Sequence, residues 1–501
     1  MKKWINIFST VVIVMIANTI LLAQSAWIQS EAKKRDKTDL THTLLDFDST
    51  GYFVLRFDKK FGYAELEKYS QKLEASQTYQ VTKERRKYRG VINIEGKMYL
   101  VFFRYKVNKD KQIYDKVSLY ASRINSETME LEGQDSIELI APFKMESNYY
   151  RGNFTVSPDK SKILVYDYEE AGDIEGVSGL TNKITLRVFD TSLKQLWKRT
   201  VDMSPTGTAK RMVAIKQLRM NSKGEVAILT DVFRKDRTYL TRKVTADPTL
   251  FFVGKEANNF ARFTPSLGEY FYNQMGFSFD EEGNVSWFGF YSKSRYYYQG
   301  GLFFIKINAE RTKVLVKKQH AFGEDLLKEI LGRKKVKPTA EIRSYKKVHW
   351  QITKDGGLVI TAEQQPPGNI SFKSHGVLVV RFDAKGEIVW ARHVYKYGEQ
   401  PKKQRPFLSH YMVMYQYEVY LLFNRGIYAD GYATVVRIDK EGDIKERKLQ
   451  RYNTQQELLC PKLAYSVGKG NIFVCLQDRY FNYYRFGKIN LPELFKPKKA
   501  K

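Results

Sequence analysis

Apolar residues along this chain gather into short runs, each opened by a turn residue and each recurring after about 60 residues. The clearest unit has the turn Ser157-Pro158-Asp159, then the apolar strand Ile163–Tyr166. Ile184, Leu186 and Val188 then alternate with polar residues up to Asp190, and Leu196-Trp197 begins a closing strand. Asp355-Gly356-Gly357 starts a second such unit, with Leu358–Ile360, Val377–Asp383, Gly386 and Trp390 in the same order. A third has Val419–Phe423, Val435–Asp439 and Gly442, and looser units start at Gly51, Gly96, Gly224, Gly283 and Gly470. A strand before the turn, such as Tyr150–Val156, gives each unit room for four short strands. Short strands at regular spacing indicate a sandwich, barrel or propeller, and four strands per repeat over many repeats is the propeller pattern.

The expectation is therefore all-β: a single β-propeller of four-stranded blades over 26–491, with eight blades counted and seven the alternative. The last unit has no fourth strand of its own before Pro492 and the basic tail 492–501. The segment Ala26–Ser30 is expected to supply it, because an open ring would leave sheet edges exposed. One stretch breaks the pattern. Between Gly323 and Gly332, acids come first, apolar residues recur at helical spacing and a glycine closes, which predicts one short helix. With the following run Arg333–Lys337 it forms a helical and basic insertion, 323–346, between two blades.

The segments SPDKSKILVY with ITLRVFDTSLKQLW, and DGGLVITAEQ with VLVVRFDAKGEIVW, resemble blades of bacterial WD40-like and TolB-like repeat proteins, and uncharacterised exported propellers of the Bacteroidetes type. The resemblance covers most of the chain after residue 25. It implies a fold and no activity.

The N-terminus sets the expected compartment. Lys2 and Lys3 precede an apolar stretch from Trp4 to Leu22, and Ala23-Gln24-Ser25 places small residues at −3 and −1 of a cleavage site before Ala26. This predicts a signal peptide over 1–25 and a chain exported to the periplasm or cell exterior, with no further membrane span. Asn6 and Asn18 weaken the stretch as a span, and Lys33, Lys34 and Arg35 lie on the side that the positive-inside rule disfavours. Cys460 and Cys475 are the two cysteines, which excludes a disulfide-dense scaffold and leaves either one bridge or two buried thiols. With 84 Lys and Arg against 55 Asp and Glu, the chain carries a net charge of +29, spread along its length. Such a surface attracts anions, or serves only solubility.

Recognisable catalytic motifs are missing. The histidines, His42, His320, His349, His375, His393 and His410, do not pair at metal-ligand spacing, and no nucleophile elbow, phosphate loop or dinucleotide fingerprint occurs. No cofactor is expected. An acidic cluster, Asp167, Glu169, Glu170, Asp173 and Glu175, is a weak Ca²⁺ candidate set against a plain solvated loop. The long loops after the second strands share one face with the blade-to-blade connections, and loops on a rigid scaffold carry function. Several second strands end in charge there: Arg56, Arg104, Arg234, Glu363, Arg425 and Arg479 are the candidate ligand-binding residues. Arginines gathered around an axis suit carboxylate, sulfate or phosphate; the alternative is that strand ends turn polar on meeting solvent.

Two function classes fit. One is a non-enzymatic binding or scaffold propeller at the cell envelope, holding a protein partner or an anionic polysaccharide. The other is a lyase-like enzyme acting on an acidic polysaccharide, which needs a His or Tyr base beside charge-neutralising Arg; His375, placed in a loop, is a candidate. Export argues against a nucleic-acid partner, and a monomer is expected.

Overall fold

The computed structural model of the chain describes residues 27–31, 33–34, 40–47, 51–58, 64–81, 87–94, 97–108, 113–138, 143–144, 150–169, 172–174, 177–204, 211–234, 247–256, 260–265, 270–293, 298–337, 339–365, 371–401, 407–426, 431–452, 457–478 and 483–496. The leader expected over 1–25 lies outside them.

Eight antiparallel sheets of four strands form the blades of a β-propeller. Blade one is Leu40–Phe47, Tyr52–Asp58, Ala64–Tyr69 and Ala75–Val81; blade two is Lys87–Ile94, Lys97–Asn108, Ile113–Ile124 and Leu131–Glu138. Blade three is Tyr150–Val156, Lys162–Glu169, Lys183–Asp190 and Gln195–Asp202; blade four is Arg211–Met220, Val226–Arg234, Asp247–Val253 and Phe260–Phe263. Blade five is Phe271–Phe279, Val285–Ser292, Gly301–Ile307 and Val314–Ala321; blade six is Tyr345–Ile352, Leu358–Gln364, Ser371–Phe382 and Ile388–Pro401. Blade seven is His410–Tyr415, Glu418–Arg425, Tyr432–Ile438 and Ile444–Arg451. Blade eight has a first strand split into Leu458–Leu459 and Tyr465–Ser466, then Asn471–Gln477 and Tyr483–Asn490. Its outer strand is Trp27–Gln29, so the N-terminal segment closes the ring.

The sequence pattern follows from this geometry. A second strand sits inside its sheet with a blade on either side, so both of its faces are covered. Val285–Ser292 is buried at every position. Such a strand reads as a continuous apolar run. The fourth strand lies at the outer edge; Val314–Ala321 is exposed at alternate and outer positions, which erases the apolar signal. The core consists of apolar layers between neighbouring blades, for example Phe288, Phe290, Leu302 and Phe304 of blade five against Leu358, Ile360 and Val380 of blade six.

In five blades an Asp or Asn at the end of the third strand, Asn125, Asp190, Asn308, Asp383 or Asp439, builds the turn, and in blade one Ser70 does so. The side chain of Asp383 accepts the backbone N–H of Lys385 and Glu387, each at 2.9 Å, and that of Asp190 accepts those of Ser192 and Lys194 at the same distance. These Asx turns place the fourth residue in the left-handed region: Gly386 at φ 76°, but also Leu193 at 63°. The side-chain bonds hold even a leucine there. Innermost strands are tied across blades by glutamine. Gln217 donates to the Phe277 carbonyl (3.3 Å) and accepts from its N–H (3.2 Å), and Gln351 accepts from the Met414 N–H (3.3 Å).

The predicted helix is present as Glu324–Leu331, ended by Gly332 at φ 61°, with Leu327 and Ile330 buried between blades five and six. Two details differ from the sequence reading. The acidic loop of blade three carries a hairpin, Gly172–Ile174 with Val177–Thr181, that adds to the first strand of blade four. The tail begins as a docked turn of helix, Leu491–Leu494, with Leu491 buried and the Phe495 ring 5.8 Å from Tyr420, so apolar residues hold the basic tail's start against the core. Both cysteines are buried free thiols; their strands meet by a Cys460 N–H to Cys475 carbonyl bond of 2.8 Å.

Candidate functional site

Second strands end on the face of the long loops, and the first strands of neighbouring blades touch, so first strands line the axis. The charged strand ends do not stand alone. Each described one meets an opposite charge from another strand of its own blade.

Arg56, 8% exposed, closes the seam between blades one and eight. Its Nη1 lies 2.5 Å from Glu65 Oε2 and 3.4 Å from Glu67 Oε1, and its guanidinium stacks over the Tyr484 ring at 5.1 Å. Glu67 also accepts from the hydroxyls of Tyr69 (2.9 Å) and Tyr484 (3.4 Å). Burial works against the Arg56 charge, but Tyr484, Glu67 and Glu65 outweigh it and hold its pKa above the ordinary arginine value. Burial, with Glu67 beside it, pushes the Tyr69 phenol well above its usual range.

Arg425 of blade seven pairs with Glu446 at 2.8 Å; both are partly exposed. Arg104 and Arg234 sit in the second strands of blades two and four, and their side chains, like the whole of Arg479, lie outside the described residues. Asp167 is buried against Arg187; burial raises its pKa and Arg187 opposes the rise. Asp231 of blade four pairs with Lys216 at 2.9 Å. Of the other calcium candidates, Glu175 and Glu170 lie outside the described residues, as do the side chains of Glu169 and Asp173. Among the described residues no group of three carboxylate, His or Cys side chains is placed to hold a metal.

Glu363 is at the centre of the largest such assembly. Fully buried, it accepts from Lys396 Nζ and Ser374 Oγ, each at 2.6 Å, and its other oxygen lies 3.6 Å from His410 Nδ1. Lys396, also fully buried, donates a second bond to the Leu408 carbonyl. The other nitrogen of His410 lies 2.9 Å from Thr361 Oγ1, and the His410 ring meets the His349 ring edge-on, centroids 5.0 Å apart. His349 is exposed on the first strand of blade six. A polar path thus runs from the axial wall at His349, through His410, to a sealed Glu363–Lys396 pair. The sequence marked Glu363 but not its partners, which stand 11 and 33 residues away. His375 falls within the third strand of blade six, not in a loop, its ring 5.9 Å from Tyr397.

The wall of the axis also carries Arg219, stacked over Trp350 at 5.1 Å. The indole packs in turn against Gly276, where a Cβ would come within 3.0 Å of it. That glycine lets blade six reach across blade five to blade four.

The fold and this wall define an eight-bladed β-propeller with internally paired strand ends. No protein-family model matches the chain, and no curated protein sequence matches it. Solved structures do. An uncharacterized protein from Listeria monocytogenes EGD-e is similar at 11% identity, TM-score 0.39, over 85% of this chain and 100% of that one. A polysaccharide lyase of family 25, an ulvan lyase, is similar at 10% identity, TM-score 0.37, over 79% and 90%. The NanB sialidase of Streptococcus pneumoniae is similar at 10% identity, TM-score 0.33, over 93% and 95%. Likeness at this level carries no inference about activity.

Proposed function

We propose that the protein is an exported, non-enzymatic binding propeller of the bacterial cell envelope whose ligand is an anionic polysaccharide. The charge carries this reading. Ion pairs such as Glu363–Lys396, Asp167–Arg187 and Arg56–Glu65 remove charges one for one, so they leave the surplus of 29 positive charges untouched. Two of those charges, Lys2 and Lys3, belong to the leader, and the rest are spread along the chain, where they concentrate polyanions. Export rests on the leader sequence 1–25, and among the described residues no helix is long and apolar enough to cross a membrane.

Retention on immobilised acidic polysaccharide tests the reading. The protein should bind at low ionic strength, elute as salt screens the charges, and pass through a neutral dextran column. Equal behaviour on both columns would remove the reading.

A lyase-like enzyme is the second reading, and exposed His349 backed by His410 is the observation in its favour. Incubation with galacturonan or alginate, followed by sizing of the chains, decides between them. Shortening that disappears in His349→Ala would replace binding by catalysis.

A further inference from the structure

The face opposite the long loops carries a cleft of about 650 Å³ where blades three, four and five meet. That volume lies within the usual range of small-ligand sites, roughly 300–1,000 Å³. Its floor is apolar: Trp197, Leu196 and Phe260, of which Leu196 and Phe260 are about two-fifths exposed, at 40% and 39%. Lysines stand on the turns around it. Lys223 belongs to the first turn of blade four and Lys255 to its second turn, and both are exposed.

The carboxylates of the wall offset these charges only in part. Glu225 is bound to Arg311, whose guanidinium also donates to the carbonyls of Gly283 (2.9 Å) and Asn308 (2.7 Å) and stacks on Phe252 at 4.6 Å. Lys162 is tied to the Ser222 carbonyl at 2.7 Å. Both fix one blade to the next and make the wall rigid. Glu310 is engaged by Asn308 Nδ2 at 2.7 Å. In all, the lining has four cations, Lys162, Lys223, Lys255 and Arg311, against the two carboxylates Glu225 and Glu310. Gly224, at φ +87°, keeps the floor open; a Cβ there would lie 3.2 Å from the Lys162 chain and 3.8 Å from Trp197 Nε1.

Flat aromatic surface beside exposed ammonium groups matches a ligand with an apolar ring face and a carboxylate at its edge. A uronic-acid sugar has both: axial C–H groups suit an aromatic ring, and its carboxylate suits lysine. We propose that this cleft holds a short stretch of a uronate polysaccharide, with sugar rings on Trp197 and Phe260 and carboxylates toward Lys223 and Lys255. The inference rests on the anionic-ligand reading above and adds the place and the chemical class.

The test is calorimetric titration of the full chain with hexamers of galacturonate, mannuronate and glucuronate, with neutral cellohexaose as reference. Three variants are compared: Lys223→Ala with Lys255→Ala, Trp197→Ala, and Lys385→Ala with Lys440→Ala. The last pair lies on turns of blades six and seven on the same face and loses the same charge away from the cleft. Binding of at least one uronate hexamer is expected, weakened about tenfold by the Lys223 and Lys255 pair. Trp197→Ala should weaken it further and the control pair should leave it within about twofold. Trp197 also packs in the core, so the lysine pair on the exposed turns keeps the test independent of folding. If uronate hexamers bind and both lysine pairs weaken them equally, the cleft is not the site, while the anionic-ligand reading stands. If no uronate hexamer binds, the uronate assignment is overturned; retention on acidic polysaccharide columns then shows separately whether the broader reading survives.

Discussion

Replacing Lys396 by methionine should be among the most damaging single changes in blade six. Lys396 and Glu363 are both 0% exposed and their charged atoms are 2.6 Å apart. At an effective dielectric of about 20 their attraction is about 6 kcal/mol, set against a desolvation cost of several kcal/mol for each ion. The pair is therefore close to balance, but half of it is not. Lys396→Met leaves the Glu363 carboxylate buried without its ammonium, Ser374 still donating to it, and takes a donor from the Leu408 carbonyl. The expected loss is about 3–5 kcal/mol. Glu363→Gln strands the ammonium and should cost a similar amount. The double variant removes both charges and keeps an acceptor for Ser374 Oγ. Its residual cost is the orphaned Leu408 carbonyl, about 1–3 kcal/mol. Urea unfolding of the four proteins, followed by circular dichroism, closes the cycle. A coupling energy of at least about 3 kcal/mol is expected. A single-variant loss below about 1 kcal/mol, or a double variant equal to the sum of the singles, would refute this balance between attraction and desolvation.

Burial lowers the pKa of His393 from 6.5 to about 4, so the folded protein keeps the ring neutral where the unfolded chain protonates it. Its contribution is complete above pH 6.5, declines as pH falls and is gone below about pH 4, a change of roughly 3 kcal/mol; His393→Leu should flatten stability across that window relative to the unmodified chain, measured as melting temperature against pH. Gly376→Ala should destabilise blade six by more than about 2 kcal/mol, because a Cβ would sit 2.0 Å from His393 Nε2. The buried thiols Cys460 and Cys475 should be silent to a thiol reagent in the native protein and give two equivalents after unfolding; two equivalents without denaturant would contradict their burial.

The fold was legible because propeller strands advertise their position. Leu358–Ile360 and Val419–Phe423 read as continuous apolar runs since neighbouring blades cover both faces. Asp190, Asp383 and Asp439 mark turns since their carboxylates bind the turn's own N–H groups. Those interactions are local, within five residues, and local interactions leave sequence patterns. The candidate site was legible only in half. The sequence shows that second strands end in charge at Arg56, Glu363 and Arg425, and it marks Asp167 as part of an acidic cluster. It does not show Glu65, Arg187, Lys396 and Glu446 opposite them, because register across two or three strands decides those pairings. The turn-face cleft was invisible for the same reason. Its residues come from three blades, and Leu196 with Phe260 look in sequence like ordinary strand residues.

The proposed cleavage site lies directly before the strand that completes blade eight, and each limits the other. Trp27, Ile28 and Gln29 pair with Ile489, Lys488 and Gly487, and Ser30 exchanges bonds with Phe486: its N–H donates to the carbonyl at 2.8 Å, and its Oγ accepts the Phe486 N–H at 3.0 Å. Gln29 also reaches blade seven, with Nε2 donating to Gln450 Oε1 at 3.1 Å. At about 1 kcal/mol for each bond, and with most of the edge of blade eight left open otherwise, this short strand is worth about 3–5 kcal/mol. A peptidase cutting after Ser25 removes the leader and leaves every one of these bonds intact. A cut five residues later would remove Trp27–Ser30 and leave, among the described residues, only Lys33 and Lys34 paired with Tyr484 and Tyr483 on that edge. We therefore expect mass spectrometry of the exported protein to find Ala26 at its N-terminus. A chain beginning at Ala26 should unfold at a clearly higher temperature than one beginning at Glu31. Retention of Met1 in membrane-bound protein would instead make the apolar stretch an anchor. Equal melting of the two shortened chains would show that the strand lies on blade eight without holding the ring closed.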